Sequence, residues 1–173
     1  DTTPSFAAQG LAVFGRDSAH GWTIKGGTIR PRQVEEMEAF FAAQPPGAFR
    51  VLTLHHHLLR LEALGSHDVS RRAHLALDAA HRSRVDLVLC GHLHRSHVQG
   101  VERHTEAEGP HRLVIASAGT ATSSRGRGSN KGVNFYNRIE VGGADFCVVE
   151  RRFDRPTGRF EEARRTTFSR LAA

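Results

Sequence analysis

Val85-Asp86-Leu87-Val88-Leu89-Cys90-Gly91-His92-Leu93-His94 is the stretch on which the fold turns. Its first six residues are apolar save for Asp86 and do not alternate as a half-solvated strand would, so they read as a short strand buried on both faces. The run then passes into a glycine and two histidines. Upstream, Phe49-Arg50-Val51-Leu52-Thr53-Leu54 reads as a second such strand, and it runs straight into His55-His56-His57. Two strands therefore end in imidazoles.

The segment between them, about residues 69–84, has helical spacing, with Val69, Ala73, Leu77 and Ala80 facing inward and His74 and His81 left at the surface. Strand, helix, strand is a βαβ unit with a right-handed crossover expected. In open α/β sheets ligands gather at the carboxyl ends of the strands, so both histidine clusters fall where one crevice is expected. Neutral imidazoles suit zinc, iron, nickel and copper. The alternation His92-Leu93-His94 points two rings to one side while Leu93 packs away, and Gly91 is expected to permit the turn that brings the rings inward.

Working outward, residues 11–14 read as a strand followed by the loop Gly15-Arg16-Asp17-Ser18. After Gly26-Gly27, Thr28 reads as a helix cap and Pro31 as a first-turn residue. That helix is expected to run to about Ala43, with Val34, Met37, Phe40 and Phe41 on its apolar face, and Pro45-Pro46-Gly47 ends it. Downstream lie a strand over 113–117, a Gly/Ser/Arg loop over 119–132, and strands over 133–141 and 144–153 joined by Gly142-Gly143. Residues 159–173, polar and basic, read as a short final element or a frayed tail. The fold class is α/β, in one domain spanning 1–173.

A chain of 173 residues with 39% hydrophobic residues has enough apolar material for one modest core. No apolar run approaches the roughly 18 to 20 residues of a membrane span. The formal charge of +6 comes almost wholly from arginine and favours anionic partners such as phosphate esters or nucleic acid. The arginine pairs are scattered and not interleaved with aromatics, so a nucleic-acid partner is not indicated. Cys90 and Cys147 are too few for a disulfide framework and read as buried free thiols. The chain opens on Asp1 rather than methionine, so the expected cytoplasmic location is read without sight of the true start.

The strand followed by Gly91-His92-Leu93-His94 resembles the Gly-His-x-His signature of the calcineurin-like metallophosphoesterases. Val51 to His56 resembles that superfamily's preceding strand and His-His-Pro block, with His57 in place of the proline. Gly27-Thr28-Ile29 with Gln33 resembles the helix entry of bacterial members, in the branch of cyclic-nucleotide phosphodiesterases and purple acid phosphatases. Gly119 to Arg125 with Phe135-Tyr136-Asn137 resembles their C-terminal strands, so the likeness covers most of residues 10–153.

The resemblance implies part of a four-layer α/β/β/α sandwich with mixed sheets, of which this chain is the C-terminal half. It implies a dinuclear site of manganese, iron or zinc, in which His55 and His92 bind one ion and His94 the other, with His56 behind them. The replaced proline leaves the ligand as His55 or His56, and His55, first after the strand, is the one assigned. The superfamily's Asp-x-His, Gly-Asp and Gly-Asn-His blocks have no counterpart here, and Asp17, Asp68, Asp78 and Asp86 lack those settings. Three histidines do not hold two dications roughly 3.5 to 4 Å apart without a bridging carboxylate or hydroxide.

The implied activity of the intact protein is metal-dependent hydrolysis of phosphate mono- or diesters, with residues 1–173 alone incomplete. A binding or scaffold module that kept the fold and lost catalysis is one alternative, and a self-sufficient zinc site of three histidines and one water is another. Arg125 and Arg127, in the glycine-rich loop, are candidate contacts for an anionic substrate; the alternative is a solvated hairpin loop.

Overall fold

A computed structural model of the protein describes residues 4–19, 26–105, 109–126 and 128–170. In chain order the elements are β1 (Ser5–Ala8), β2 (Leu11–Arg16), α1 (Pro31–Ala42), β3 (Phe49–Leu54), α2 (Ala73–Arg82), β4 (Leu87–Cys90), β5 (His97–Thr105), β6 (Gly109–Ser117), β7 (Phe135–Val141), β8 (Asp145–Asp154) and β9 (Arg159–Ser169). No helix among the described residues is long and apolar enough to cross a membrane.

Six strands form one mixed sheet in the order β1-β2-β3-β4-β6-β5. Its centre is parallel, with Val13 opposite Val51, Val51 opposite Leu87 and Leu87 opposite Val114, and its two edge strands run antiparallel. The remaining three strands form a separate antiparallel sheet, β7-β8-β9.

The apolar runs make sense because the large sheet has a core on each face. Successive side chains of a strand point to opposite faces. Accordingly Leu52, Leu54, Val88, Leu113 and Ile115 pack with Met37 and Phe41 of α1 and with Ala76, Leu77 and Ala80 of α2. Phe49, Val51, Leu87, Val114 and Ala116 pack instead against Phe146 and Val148 of the small sheet. The layers are therefore helices, large sheet, small sheet: the α/β/β part of the expected sandwich, in a mixed α/β fold.

Several sequence expectations need correction. α1 starts at Pro31, and its cap is Arg30 rather than Thr28, with the Gln33 side chain bonded back to the Arg30 amide at 2.8 Å. Thr28 instead makes an isolated parallel bridge with Arg71. His81, expected outside, is 2% exposed and stacks edge-on with His111, because the inner face of α2 is wider than the apolar spacing alone implies. Of the tail read over 159–173, residues 159–169 form a long final strand: β9 pairs along β8 from Asp154 opposite Arg159 to Asp145 opposite Ser169, and residues 171–173 lie outside the described residues. Cys90 is buried as expected, whereas Cys147 is only half-buried.

Candidate metal centre

β3 and β4 are parallel neighbours in register, Val51 opposite Leu87 and Thr53 opposite Leu89, so their carboxyl ends finish side by side. The chain leaving β4 is tied to the chain leaving β3 by the Gly91 amide, which donates to His55 O at 3.0 Å. That single backbone bond fixes the distance between the two histidine clusters.

It brings His55, His56 and His92 together, with one ring nitrogen from each lying within 4.8 Å of the others. The centroids of the His56 and His92 rings are 4.6 Å apart, and those of His55 and His92 are 5.1 Å apart. His92 Nδ1 stands 3.2 Å from His55 Nε2. Two imidazole nitrogens bound at about 2.0 to 2.1 Å to one tetrahedral zinc are roughly 3.3 Å apart, so this pair already has the spacing of two ligands of one ion.

The turn that presents these rings is not made by Gly91, as the sequence suggests. Its φ is not positive; the left-handed residues are His92 (φ 66°) and His94 (φ 54°). An L-residue in this region is strained by about 1 to 2 kcal/mol. Between them Leu93 is 7% exposed and packs into the helix-side core, which holds the loop down and offsets that strain. His94, half-buried on the far side of Leu93, does not join the tight trio.

His56 is the most constrained of the three. Its backbone N–H donates to Ser18 Oγ at 3.1 Å, and its Nδ1 is 2.9 Å from the same oxygen. Ser18, wholly buried in the loop after β2, thus directs Nδ1 away from the cluster and leaves Nε2 as the nitrogen for a ligand. Gly27 forms the floor: a Cβ there would stand 2.6 Å from Ser70 Oγ and 2.9 Å from His56 Cβ. Burial, then the nearby His92 and His55, push the His56 pKa down to about 4, against a small upward pull from Asp17. The ring is therefore a neutral lone-pair donor at neutral pH.

His57 points away, into the protein. It is fully buried, packs on the ring of His67 at 5.0 Å, and lies 3.5 Å from Cys90 Sγ and 3.3 Å from Ser117 Oγ. Burial and then His67 hold its pKa down at about 4.

Three imidazoles fit a single divalent first-row ion. They do not fit a pair of ions, since among the described residues no carboxylate joins the trio. Asp17 is the nearest acidic group in the sequence to Ser18; it shares with His55 a cleft of about 450 Å³. Its Oδ1 accepts the Ala19 amide at 2.7 Å.

Arg125 is exposed, its amide donating to Ser123 Oγ at 3.1 Å, and Arg127 lies outside the described residues. What the sequence missed is Ser18. Its only signal was the Asp-Ser turn after a strand.

No protein-family model matches the chain, and no curated protein matches it. Among solved structures it is similar to Vps29 from Chaetomium thermophilum in complex with a cyclic peptide, at 14% identity over 94% of this chain and 97% of that one, with a TM-score of 0.37. Vps29 from Entamoeba histolytica complexed with zinc is 10% identical over 92% of this chain and 99% of that one, with a TM-score of 0.35. A predicted phosphoesterase from Streptococcus pneumoniae is 14% identical over 91% and 97%, with a TM-score of 0.36. The chemistry of the centre follows from its own side chains.

Proposed function

We propose that the chain is the C-terminal part of a metal-dependent phosphoesterase domain and supplies the imidazole side of its metal centre, acting on phosphate mono- or diesters. The observation that carries this is the convergence of His55, His56 and His92 at the adjacent carboxyl ends of β3 and β4. A bound divalent ion would supply Lewis acidity toward a phosphoryl oxygen and a more acidic water.

The chain's own residues prepare the place. His55 and His92 present nitrogens at ligand spacing, and Ser18 holds His56 in a fixed orientation. His94, just beyond Leu93, is the ligand assigned to a second ion. The bridging and remaining carboxylates of a dinuclear centre then come from outside residues 1–173.

The test is titration of zinc or manganese into the metal-free chain by calorimetry. One ion per chain is expected, with His92→Ala weakening it at least a hundredfold, and hydrolysis of bis(4-nitrophenyl) phosphate by residues 1–173 remaining at background. Unchanged affinity in His92→Ala would sink the centre. Vigorous, EDTA-sensitive hydrolysis by this chain alone would sink the division of ligands.

That no carboxylate among the described residues joins the trio also favours a second reading, a binding or scaffold module with this fold and no catalysis. Such a module has no use for three converging imidazoles, so metal affinity that does not respond to His92→Ala points to it.

A further inference from the structure

The opposite end of the same sheet holds a second cavity, of about 320 Å³, which the proposed metal centre does not use. Arg50 is the second residue of β3, and His55 follows it by five residues; at about 3.3 Å per residue the two are roughly 16 Å apart. Arg50, Arg84, Asp86, His111 and Arg170 line the cavity, and Ala42 and Pro46 add apolar wall.

Three arginines and one carboxylate thus line the same cavity, and that carboxylate is already engaged. Asp86 Oδ2 accepts the Arg50 backbone N–H at 2.8 Å, and Oδ1 accepts from Arg170 Nε at 3.3 Å. Both flanking guanidinium groups are held in place by backbone carbonyls. Arg50 donates one N–H to Ser83 O at 2.6 Å, and Arg170 donates one to Gly47 O at 2.9 Å while lying 5.4 Å from the Phe49 ring centroid. Arg50 has no other hydrogen-bond partner for its side chain among the described residues, so its remaining N–H groups are available.

Arg84 sits on the loop between α2 and β4 at φ 49°, a left-handed position that glycine fills without strain. A charged side chain is thus kept where the backbone would favour none. Guanidinium forks are suited to bidentate contact with tetrahedral oxyanions, and a partly apolar wall strengthens such contacts by lowering the local dielectric. The volume falls in the range of small-molecule sites, larger than a bare ion needs.

We propose that this cavity binds a phosphate-bearing dianion, with Arg50, Arg84 and Arg170 as its donors, at a site separate from the histidine centre. The inference does not rest on the proposed hydrolytic function. It places a binding site at the amino ends of the strands, where open α/β sheets do not usually carry one.

The experiment uses the full chain in EDTA, so that the imidazole end stays free of metal, at fixed ionic strength. Inorganic phosphate and glycerol 3-phosphate are titrated separately, read by amide chemical shifts and calorimetry. Saturable binding is expected, with shifts centred on residues 50, 84 and 170. Tighter binding of glycerol 3-phosphate identifies a phosphomonoester as the ligand, and equal binding identifies free phosphate.

Arg84→Gly is the deciding variant, because it removes the charge while relieving the backbone and so keeps the fold. Anion affinity should fall at least tenfold with the melting temperature unchanged or raised. His92→Ala should leave anion affinity as it was. Unsaturable binding, shifts centred on the histidines, or full affinity in Arg84→Gly would each overturn the proposal.

Discussion

The two ends of β3 and β4 are made from the same sheet and carry opposite chemistry. At the carboxyl ends the side chains are imidazoles, and burial pushes the pKa of His56, one of the trio, down to about 4, so that it presents a lone pair. At the amino ends they are guanidinium groups, which stay charged and present only N–H donors. A site for a cation needs donors that lose their protons readily, and a site for an anion needs groups that never do. The difference teaches that burial has contrary effects on the two: it neutralises histidine and leaves arginine charged, so one sheet can carry both without mutual neutralisation.

Acid erases this contrast and should have the largest effect. An imidazole in the unfolded chain titrates near 6.5, while His56 and His57 in the folded chain do so at about 4. Between those values the unfolded state holds protons that the folded state lacks. Stability from these two groups is therefore complete above pH 6.5 and is lost as the pH falls toward 4, at up to about 1.4 kcal/mol per unit for each. Urea midpoints across pH 4 to 8 measure it; a flat curve would show that the rings are not neutral by burial.

Gly27→Ala tests how tightly the imidazole end is built. The new methyl group would meet Ser70 Oγ and His56 within 3 Å, and overpacking of this kind costs about 1 to 3 kcal/mol. Thermal melting should show that loss, accompanied by weaker zinc binding as His56 is displaced. A stable variant with unaltered zinc affinity would mean that His56 is not a ligand.

Ser18→Ala is a smaller perturbation of the same ring. Removing a hydrogen-bond partner from a metal-binding histidine typically weakens the metal about tenfold or somewhat more. Zinc affinity should drop by about that factor, and Ser18→Thr should restore much of it. Equal affinities in all three would place the hydroxyl in a purely structural role.

Much of this architecture was legible in the sequence where periodicity and burial agree. β3 falls on residues 49–54 as read, since Phe49 to Leu54 carries apolar groups to both cores. The Gly142-Gly143 turn places β7 and β8 within two residues of their expected bounds. The edge strands were not legible. β5, with Gln99, Gly100, Glu102 and Arg103 among its residues, has little apolar pattern and is specified by pairing with β6. β9 is likewise polar along most of its length and is defined by β8.

The candidate site was legible in part, because the histidines cluster at strand ends. Which of them converge depends on one backbone bond and two left-handed residues, which no spacing rule conveys. Residues 92 and 94 share a side of a flat strand, but the turn through His92 separates His94 from the trio and puts His56 in its place.

Cys90 closes β4, one residue before the turn, and burial raises its pKa to about 12. Sulfur attacks oxidants and captures soft metals only as the thiolate, and at this position that form is almost absent. The chain therefore keeps a protonated thiol close behind its imidazoles, with Sγ turned to His57 and not to the trio. It should tolerate air and peroxide at that end of the sheet with no reductant supplied.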